Sequence, residues 1–321
     1  MPSAGLAGSF VPVRIIRSLA ELSSIADKVC IAIGVFDGVH LGHQAVIRAA
    51  MEDARAANGT AVALTFDPHP MRVLVPDKAP PLLTSTEHKL ALIENLETPV
   101  CLLIPFTLEF ARTEAEAFLE QLRQSATKLQ TICVGHAFRF GHNRKGDVQT
   151  ILAFGRDRGV RVDVIPPVMS NGETISSTTI RKVVAEGDLT KAERMLGRPF
   201  SVLGSVEAGD QIGRKLGYPT ANLNPHNEVL PPNGVYAVRV FHAGNEHGGI
   251  ANIGVRPTVA KDTAERRFEL HILDFSGDVY GKAIEVFFAQ KLREEQKFDS
   301  PDELKAQIAR DEGQARRILS P

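Results

Sequence analysis

From about Val13 to Glu186, short apolar runs alternate with stretches of helical periodicity, and this alternation constrains the fold more than any other property of the chain. Apolar runs at 30–35, 61–66, 100–104, 131–134 and 160–165 predict strands, and the stretches 43–57, 87–96, 114–125 and 146–158 predict helices between them. In the first helical stretch Val46, Ile47, Ala50, Met51 and Ala54 share one face. Thr84-Ser85-Thr86-Glu87 has the spacing of a capping box at a later helix start. Such alternation predicts a Rossmann-like α/β domain, a parallel sheet with helices on both faces, whose ligands sit at the carboxyl ends of the strands.

After about Gly197 the rhythm changes to closely spaced strand-like segments at 200–207, 235–241, 249–253, 267–275 and 284–289. Turn chemistry separates them: Pro231-Pro232-Asn233-Gly234, Gly248-Gly249 and Ser276-Gly277-Asp278. This pattern predicts a small antiparallel β-barrel. Ser300-Pro301-Asp302-Glu303 announces a terminal helix, with Ser as N-cap, Pro in the first turn and Glu closing the box. The expected division is a domain over residues 1–186, a linker with a short helix over 187–198, and a second domain over 199–321. A length of 321 residues accommodates two such cores.

A formal net charge of −1 places no excess charge behind nucleic-acid or membrane-surface binding, so neither partner is expected. No apolar run is long enough to span a bilayer, and Met1 to Val13 lacks the basic and apolar regions of a secretory signal. Cys30, Cys101 and Cys133 each lie in an apolar strand-like run and read as reduced core residues of a cytoplasmic protein.

Chemistry concentrates first in Gly34-Val35-Phe36-Asp37-Gly38-Val39-His40-Leu41-Gly42-His43, between the first predicted strand and helix. Gly38 and Gly42 let backbone approach a ligand, and the first helical N–H groups carry partial positive charge suited to phosphate. His40 and His43 can donate hydrogen bonds to phosphoryl oxygens as negative charge builds. Zinc is the poorer reading, because no third ligand follows at a suitable spacing. Asp67 and His69 offer polar groups in the proline-stiffened loop Thr65-Phe66-Asp67-Pro68-His69-Pro70. Ser177, Thr178 and Arg181 place hydroxyls and a guanidinium at a helix start, a setting that suits phosphates as well as simple capping.

In the second half, Gly209, Gly213 and Gly217 with Arg214 and Lys215 read as a backbone phosphate cradle. Thr220 and Asn222 add hard oxygen ligands suited to Mg²⁺. In Phe268-Glu269-Leu270-His271-Ile272, period-two geometry puts Glu269 and His271 on the face opposite Phe268, Leu270 and Ile272.

These strings, in this order, resemble the bifunctional riboflavin kinase/FAD synthetase family. The His-x-Gly-His run with its preceding Gly-x-Phe-Asp-Gly resembles the adenylyltransferase half, and Gly213-Arg214-Lys215-Leu216-Gly217-Tyr218-Pro219-Thr220-Ala221-Asn222 resembles the riboflavin kinase signature. The resemblance implies ATP as co-substrate, riboflavin and FMN as acceptors, and Mg²⁺ as the metal, held by Thr220 and Asn222. Gly34, Phe36, Asp37, Gly38, Gly42, Asp67, His69, Ser177 and Thr178 would contact nucleotide or flavin. His40, His43 and Arg181 would stabilise charge in adenylyl transfer to FMN, giving FAD and pyrophosphate. Glu269 would be the base for the riboflavin 5′-hydroxyl, and the enzyme would be a monomer or weak homo-oligomer. One position departs from the pattern: Ala137 stands in Val134-Gly135-His136-Ala137-Phe138 where the family has Asp or Asn. The alternative is therefore an active kinase whose first domain only binds nucleotide or flavin as a regulatory module. A tRNA synthetase, which also carries His-x-Gly-His, is disfavoured by the near-neutral charge and the barrel.

Overall fold

The computed structural model describes residues 12–207, 220–256 and 265–320. They form two compact units. One comprises the described residues up to Pro81 with Thr86–Ser177; the other comprises Leu82–Ser85 and the described residues from Thr178 onward.

In the first unit β1 (Arg14–Ile16), β2 (Val29–Ile33), β3 (Thr60–Asp67), β4 (Val100–Pro105), β5 (Leu129–Gly135) and β6 (Arg161–Ile165) make one sheet in the order β1-β4-β3-β2-β5-β6. Every neighbouring pair is parallel. β2 is buried on both faces along its whole length, as a continuous apolar strand in such a sheet must be. Its alternation sets the layers. Cys30 and Ala32, with Ala61, Ala63, Cys101 and Cys133, give a face of small side chains that receives α1 (Leu41–Ala57) through Val46, Ile47, Ala50, Met51 and Ala54. Ile31 and Ile33, with Val62, Leu64, Leu102 and Ile132, pack on the other face with Phe118, Leu119 and Leu122 of the helix Ala115–Ser125. Burying a side chain such as Ile47 contributes about 1.5–3 kcal/mol.

All five expected strands are present, within one or two residues at most ends. β1 is the addition: among the described residues it pairs only with β4, and only Ile16 of its three residues is buried. Further helices are α2 (Pro70–Leu74), α3 (Thr86–Glu94), α4 (Ala115–Ser125) and α5 (Val148–Arg158); a hairpin of β7 (Met169–Ser170) and β8 (Glu173–Thr174) precedes α6 (Ser177–Ala185).

The second unit carries α7 (Leu189–Leu196), capped by the Asp188 carboxylate at 2.9 Å from the Lys191 N–H and ended by Gly197 in the left-handed region. Then β9 (Ser201–Glu207), β10 (Ala221–Pro225), β11 (Gly234–His242), β12 (Asn245–Arg256), β13 (Glu265–Ile272) and β14 (Ala283–Arg293) close into a barrel in the order β10-β13-β12-β11-β14-β9. Buried Tyr236, Phe268 and Phe288 meet ring to ring inside it. The helix Pro301–Leu319 covers Val235, Ala237 and Ile250 with Ala315 and Leu319. Its buried Asp311 accepts from Arg293 Nε at 3.0 Å. As the sequence predicts, Ser300 Oγ accepts from the Glu303 N–H; the Glu303 carboxylate reaches back one residue further, to the Asp299 N–H.

One predicted turn is corrected. Gly248-Gly249 lies inside β12, paired with Arg239 and Val238. The reversal comes at Ala243-Gly244, both with positive φ, between the paired residues His242 and Asn245. A Cβ on Gly248 would press on Leu319 at 3.3 Å, and one on Gly249 would sit 3.1 Å from the His271 carbonyl oxygen. These glycines thin a strand under close packing and mark no turn.

Candidate active sites

In the first unit the strand sequence runs outward from β2 in both directions, through β3 and β4 on one side and β5 and β6 on the other. The carboxyl end of β2 is therefore the switch point at which open α/β sheets bind ligands. The turn from β2 into α1 occupies it. Phe36, Gly38 and Val39 have φ of +54°, +82° and +38°, which winds the chain tightly before the helix. Gly34 is required by this winding, because a Cβ there would lie 2.4 Å from the Phe36 ring.

His40 is the N-cap of α1, its Nδ1 accepting from the His43 N–H at 3.3 Å. An accepting Nδ1 leaves the proton of the neutral ring on Nε2, where it serves as a donor. The His40 and His43 rings stack with centroids 3.6 Å apart, and Phe36 meets His43 edge-on at 5.4 Å. Gly42 keeps the helix start open beside the His40 ring, which a Cβ would meet at 3.0 Å. Two imidazoles thus stand together over the positive end of a seventeen-residue helix.

The next loop follows β3. Thr86 Oγ1 donates to Asp67 Oδ1 at 2.5 Å, and His69 caps α2 through Nδ1, accepting from the Met71 N–H at 3.2 Å. Ser177 Oγ donates to the carbonyl of buried Asp37 at 2.9 Å, fastening the start of α6 to the histidine turn. Thr178 and Arg181 fall in the second unit, past the division of the chain. After β5, His136 and Ala137 are exposed, and the His136 N–H donates to the Ile165 carbonyl at 2.9 Å.

Two features escape sequence reasoning. One is an aromatic group at the carboxyl ends of β3, β4 and β5: Phe66 within β3 meets Phe106 and Phe110 of the segment after β4 at 5.7 and 6.0 Å, and Phe138 stacks on Phe140 at 5.5 Å. Single phenylalanines in separate segments carry no shared sequence signal. The other is Lys89, buried in α3; a lysine three and four residues before the buried Leu92 and Ile93 stands on the apolar stripe of its helix, and that was its signal.

In the barrel the site is made by register. Asn222 of β10 pairs with Glu269 of β13, which pairs on its other side with Asn252 of β12. Neighbours Ala221, Leu270 and Ala251 are buried, so Asn222, Glu269 and Asn252 line up on the outer face. Phe268, Leu270 and Ile272 are buried and Glu269 and His271 half-buried, as the alternation predicts. Asn224 of the same face donates to Glu207 at 2.7 Å, and Thr220 stands half-buried just before β10. The row therefore presents carboxylate, carboxamide and hydroxyl oxygens, a donor set that fits a hard divalent cation. Gly209, Gly213, Arg214, Lys215 and Gly217 lie outside the described residues.

Family models match both halves: FAD synthetase over residues 22–179 and riboflavin kinase over residues 196–319. The chain is 39% identical to the bifunctional riboflavin kinase/FMN adenylyltransferase of Escherichia coli K12 over 308 residues, covering 95% of this chain and 98% of that protein. It is 37% identical to the protein of the same name from Pseudomonas fluorescens, covering 96% and 98%, and 36% identical to that of Haemophilus influenzae, covering 93% and 96%. Among solved structures, one described as a macrolide-efflux protein from Streptococcus pneumoniae superposes with a TM-score of 0.81 at 29% identity, covering 95% of this chain and 99% of that one. Among the described residues no helix is long and apolar enough to cross a membrane.

Proposed function

The chain belongs to the bifunctional riboflavin kinase/FMN adenylyltransferase family, and from that premise we propose how its residues divide the work. It phosphorylates riboflavin to FMN and adenylylates FMN to FAD; relatives named for both activities align with nearly its whole length. That dual naming favours a working first domain over a purely regulatory one. The domain division read from the sequence is retained: adenylyl transfer over residues 1–186, a linker over 187–198, and riboflavin phosphorylation over 199–321.

In adenylyl transfer an FMN phosphate oxygen attacks the α-phosphorus of ATP as the bond to pyrophosphate breaks. No general base is required, because a phosphate monoester is already ionised at neutral pH. His40, through Nε2, and His43 donate to the phosphoryl oxygens as charge builds, and Arg181, Ser177 and Thr178 hold the leaving phosphates. Gly34, Phe36, Asp37, Gly38, Gly42, Asp67 and His69 shape the nucleotide pocket. The half-buried rings of Phe106, Phe110 and Phe138 offer apolar surface for the flat flavin. Because Ala137 brings no polar side chain, the flavin there would be held through stacking and backbone groups.

In the barrel Glu269 takes the proton of the riboflavin 5′-hydroxyl, whose oxygen attacks the γ-phosphorus of ATP and displaces ADP. Gly209, Gly213, Arg214, Lys215 and Gly217 cradle the ATP phosphates. Thr220 and Asn222 would hold Mg²⁺, which when bound neutralises phosphate charge. The three cysteines, all buried and free, suit a reducing cytoplasm, and nothing in the charge balance calls for a nucleic-acid or membrane partner. A monomer or weak homo-oligomer is the assembly proposed.

The reading rests above all on the stacked His40–His43 pair at the start of α1, in a unit separate from the Asn222–Glu269–Asn252 row. Its test is chromatography of the flavins formed from riboflavin, ATP and Mg²⁺, with a parallel incubation that starts from FMN. FAD in both incubations is expected. FMN accumulating without FAD would return the first domain to the regulatory reading.

A further inference from the structure

Lys89 is a buried cation that the reaction as written does not use. Only 6% of it is exposed. Its Nζ donates to the Phe66 carbonyl at 2.9 Å and reaches the Val35 carbonyl at 3.5 Å. The first carbonyl lies one residue before the end of β3 at Asp67, and the second lies just beyond β2 at the start of the histidine turn. Thr65 Oγ1 donates to the same Val35 carbonyl at 2.8 Å, and Thr86, one turn before Lys89 on α3, holds Asp67 Oδ1. One helix therefore grips both catalytic-edge loops, by a hydroxyl at its first residue and an ammonium one turn further.

Burying an ammonium costs several kcal/mol before compensation, and an apolar side chain of similar length would fill the space without that cost. Burial pushes the Lys89 pKa down, while the charges of Asp37, Cys101 and Asp67 oppose the fall. The Cys101 thiol, pushed up to about 12 by its own burial, is neutral at physiological pH, so the two carboxylates balance the ammonium. A group that is costly for packing yet bonded to two motif loops has its use in where it holds them.

We propose that Lys89 is a positioning residue for adenylyl transfer: its buried ammonium clamps the carboxyl ends of β2 and β3 together, fixing the His40–His43 turn against the Asp67–His69 loop. It touches neither substrate nor reacting atoms. Its effect falls on kcat, since in-line attack on the α-phosphorus depends on sub-ångström alignment, and a displacement of about 1 Å costs about a hundredfold in rate. The inference rests on the assignment of the His40 turn to adenylyl transfer.

The test compares Lys89→Met, which keeps length without donors, with Lys89→Arg, which keeps the charge, in the full-length enzyme. FAD formation from FMN and ATP is followed to separate kcat from KM, thermal unfolding is recorded alongside, and riboflavin phosphorylation is the internal control. The expected result for Lys89→Met is a kcat about a hundredfold lower with KM for FMN and ATP within threefold, phosphorylation unchanged, and Lys89→Arg recovering to within tenfold of the parent. A Lys89→Met enzyme with parental kcat overturns the proposal, as does a loss that appears only in KM. If Lys89→Met fails to fold, Lys89→Arg decides by itself through the basic limb of its pH–kcat profile. A clamp that works by its charge loses activity as Lys89 deprotonates, so the arginine enzyme must keep its rate to higher pH; coincident limbs overturn the proposal. His43→Ala in the same series separates the two claims. Its failure to slow FAD formation would sink the site assignment, whereas a slow His43→Ala beside a fast Lys89→Met would sink the clamp alone.

Discussion

The two units build their proposed ATP sites by opposite means. At the open sheet, short contiguous loops at strand ends carry the polar groups, and the helix they lead into supplies a fixed field; the His40–His43 pair is local to a single turn. On the barrel, Asn222, Glu269 and Asn252 come from three strands and are neighbours only because hydrogen-bond register makes them so. A loop-built site depends on turn geometry and on whatever pins the loops to one another. A register-built site depends on the barrel remaining closed, because a one-residue slip would turn Glu269 to the inside.

If this contrast is right, damage to one site leaves the other reaction intact. The largest effect is expected from Glu269→Gln, which keeps the strand and removes the proposed base: riboflavin phosphorylation should fall about 10³-fold while FAD formation from FMN is unchanged, as read from initial rates on each substrate. His43→Ala should do the converse, lowering FAD formation about 10²-fold with phosphorylation intact. A smaller and purely structural effect is expected from Asp311→Ala. It strands Arg293 without its buried partner, so chemical denaturation should show the barrel transition destabilised by about 3 kcal/mol and the other transition unmoved. The smallest effect concerns the sheet core. Burial pushes the thiols of Cys30, Cys101 and Cys133 upward, so little thiolate exists at pH 8 and a thiol reagent should modify none of them until denaturant is added. Rapid modification of the native protein would contradict the packing of α1 on the small-residue face.

The same contrast explains what could be read from the sequence. The β2–α1 turn is legible as a candidate site because its glycines, histidines and helix start are consecutive, and the alternating apolar runs place them at the carboxyl end of a strand. The Ser300 cap was legible for the same local reason. Register is not local. Glu269 could be placed on the polar face of its strand, but its pairing with Asn222 on one side and Asn252 on the other follows only once the barrel closes. Gly248-Gly249 misled because glycine pairs usually mark turns, whereas here they serve close packing beside Leu319 and the His271 carbonyl. β1 was missed because a three-residue edge strand with one buried side chain has no periodicity to detect. Lys89 stands on the stripe with Leu92 and Ile93, but a lysine in a helix is ordinarily at the surface, and its inward turn onto two carbonyls depends on the loops that α3 packs against.

The central claim, two separable sites that act one after the other, is tested most directly by mixing Glu269→Gln and His43→Ala enzymes with riboflavin, ATP and Mg²⁺ and measuring FAD. Neither variant alone should produce appreciable FAD from riboflavin, and the mixture should, because FMN released by one is adenylylated by the other. A mixture as inactive as its components, or a Glu269→Gln enzyme that still makes FMN at the parental rate, would contradict the account.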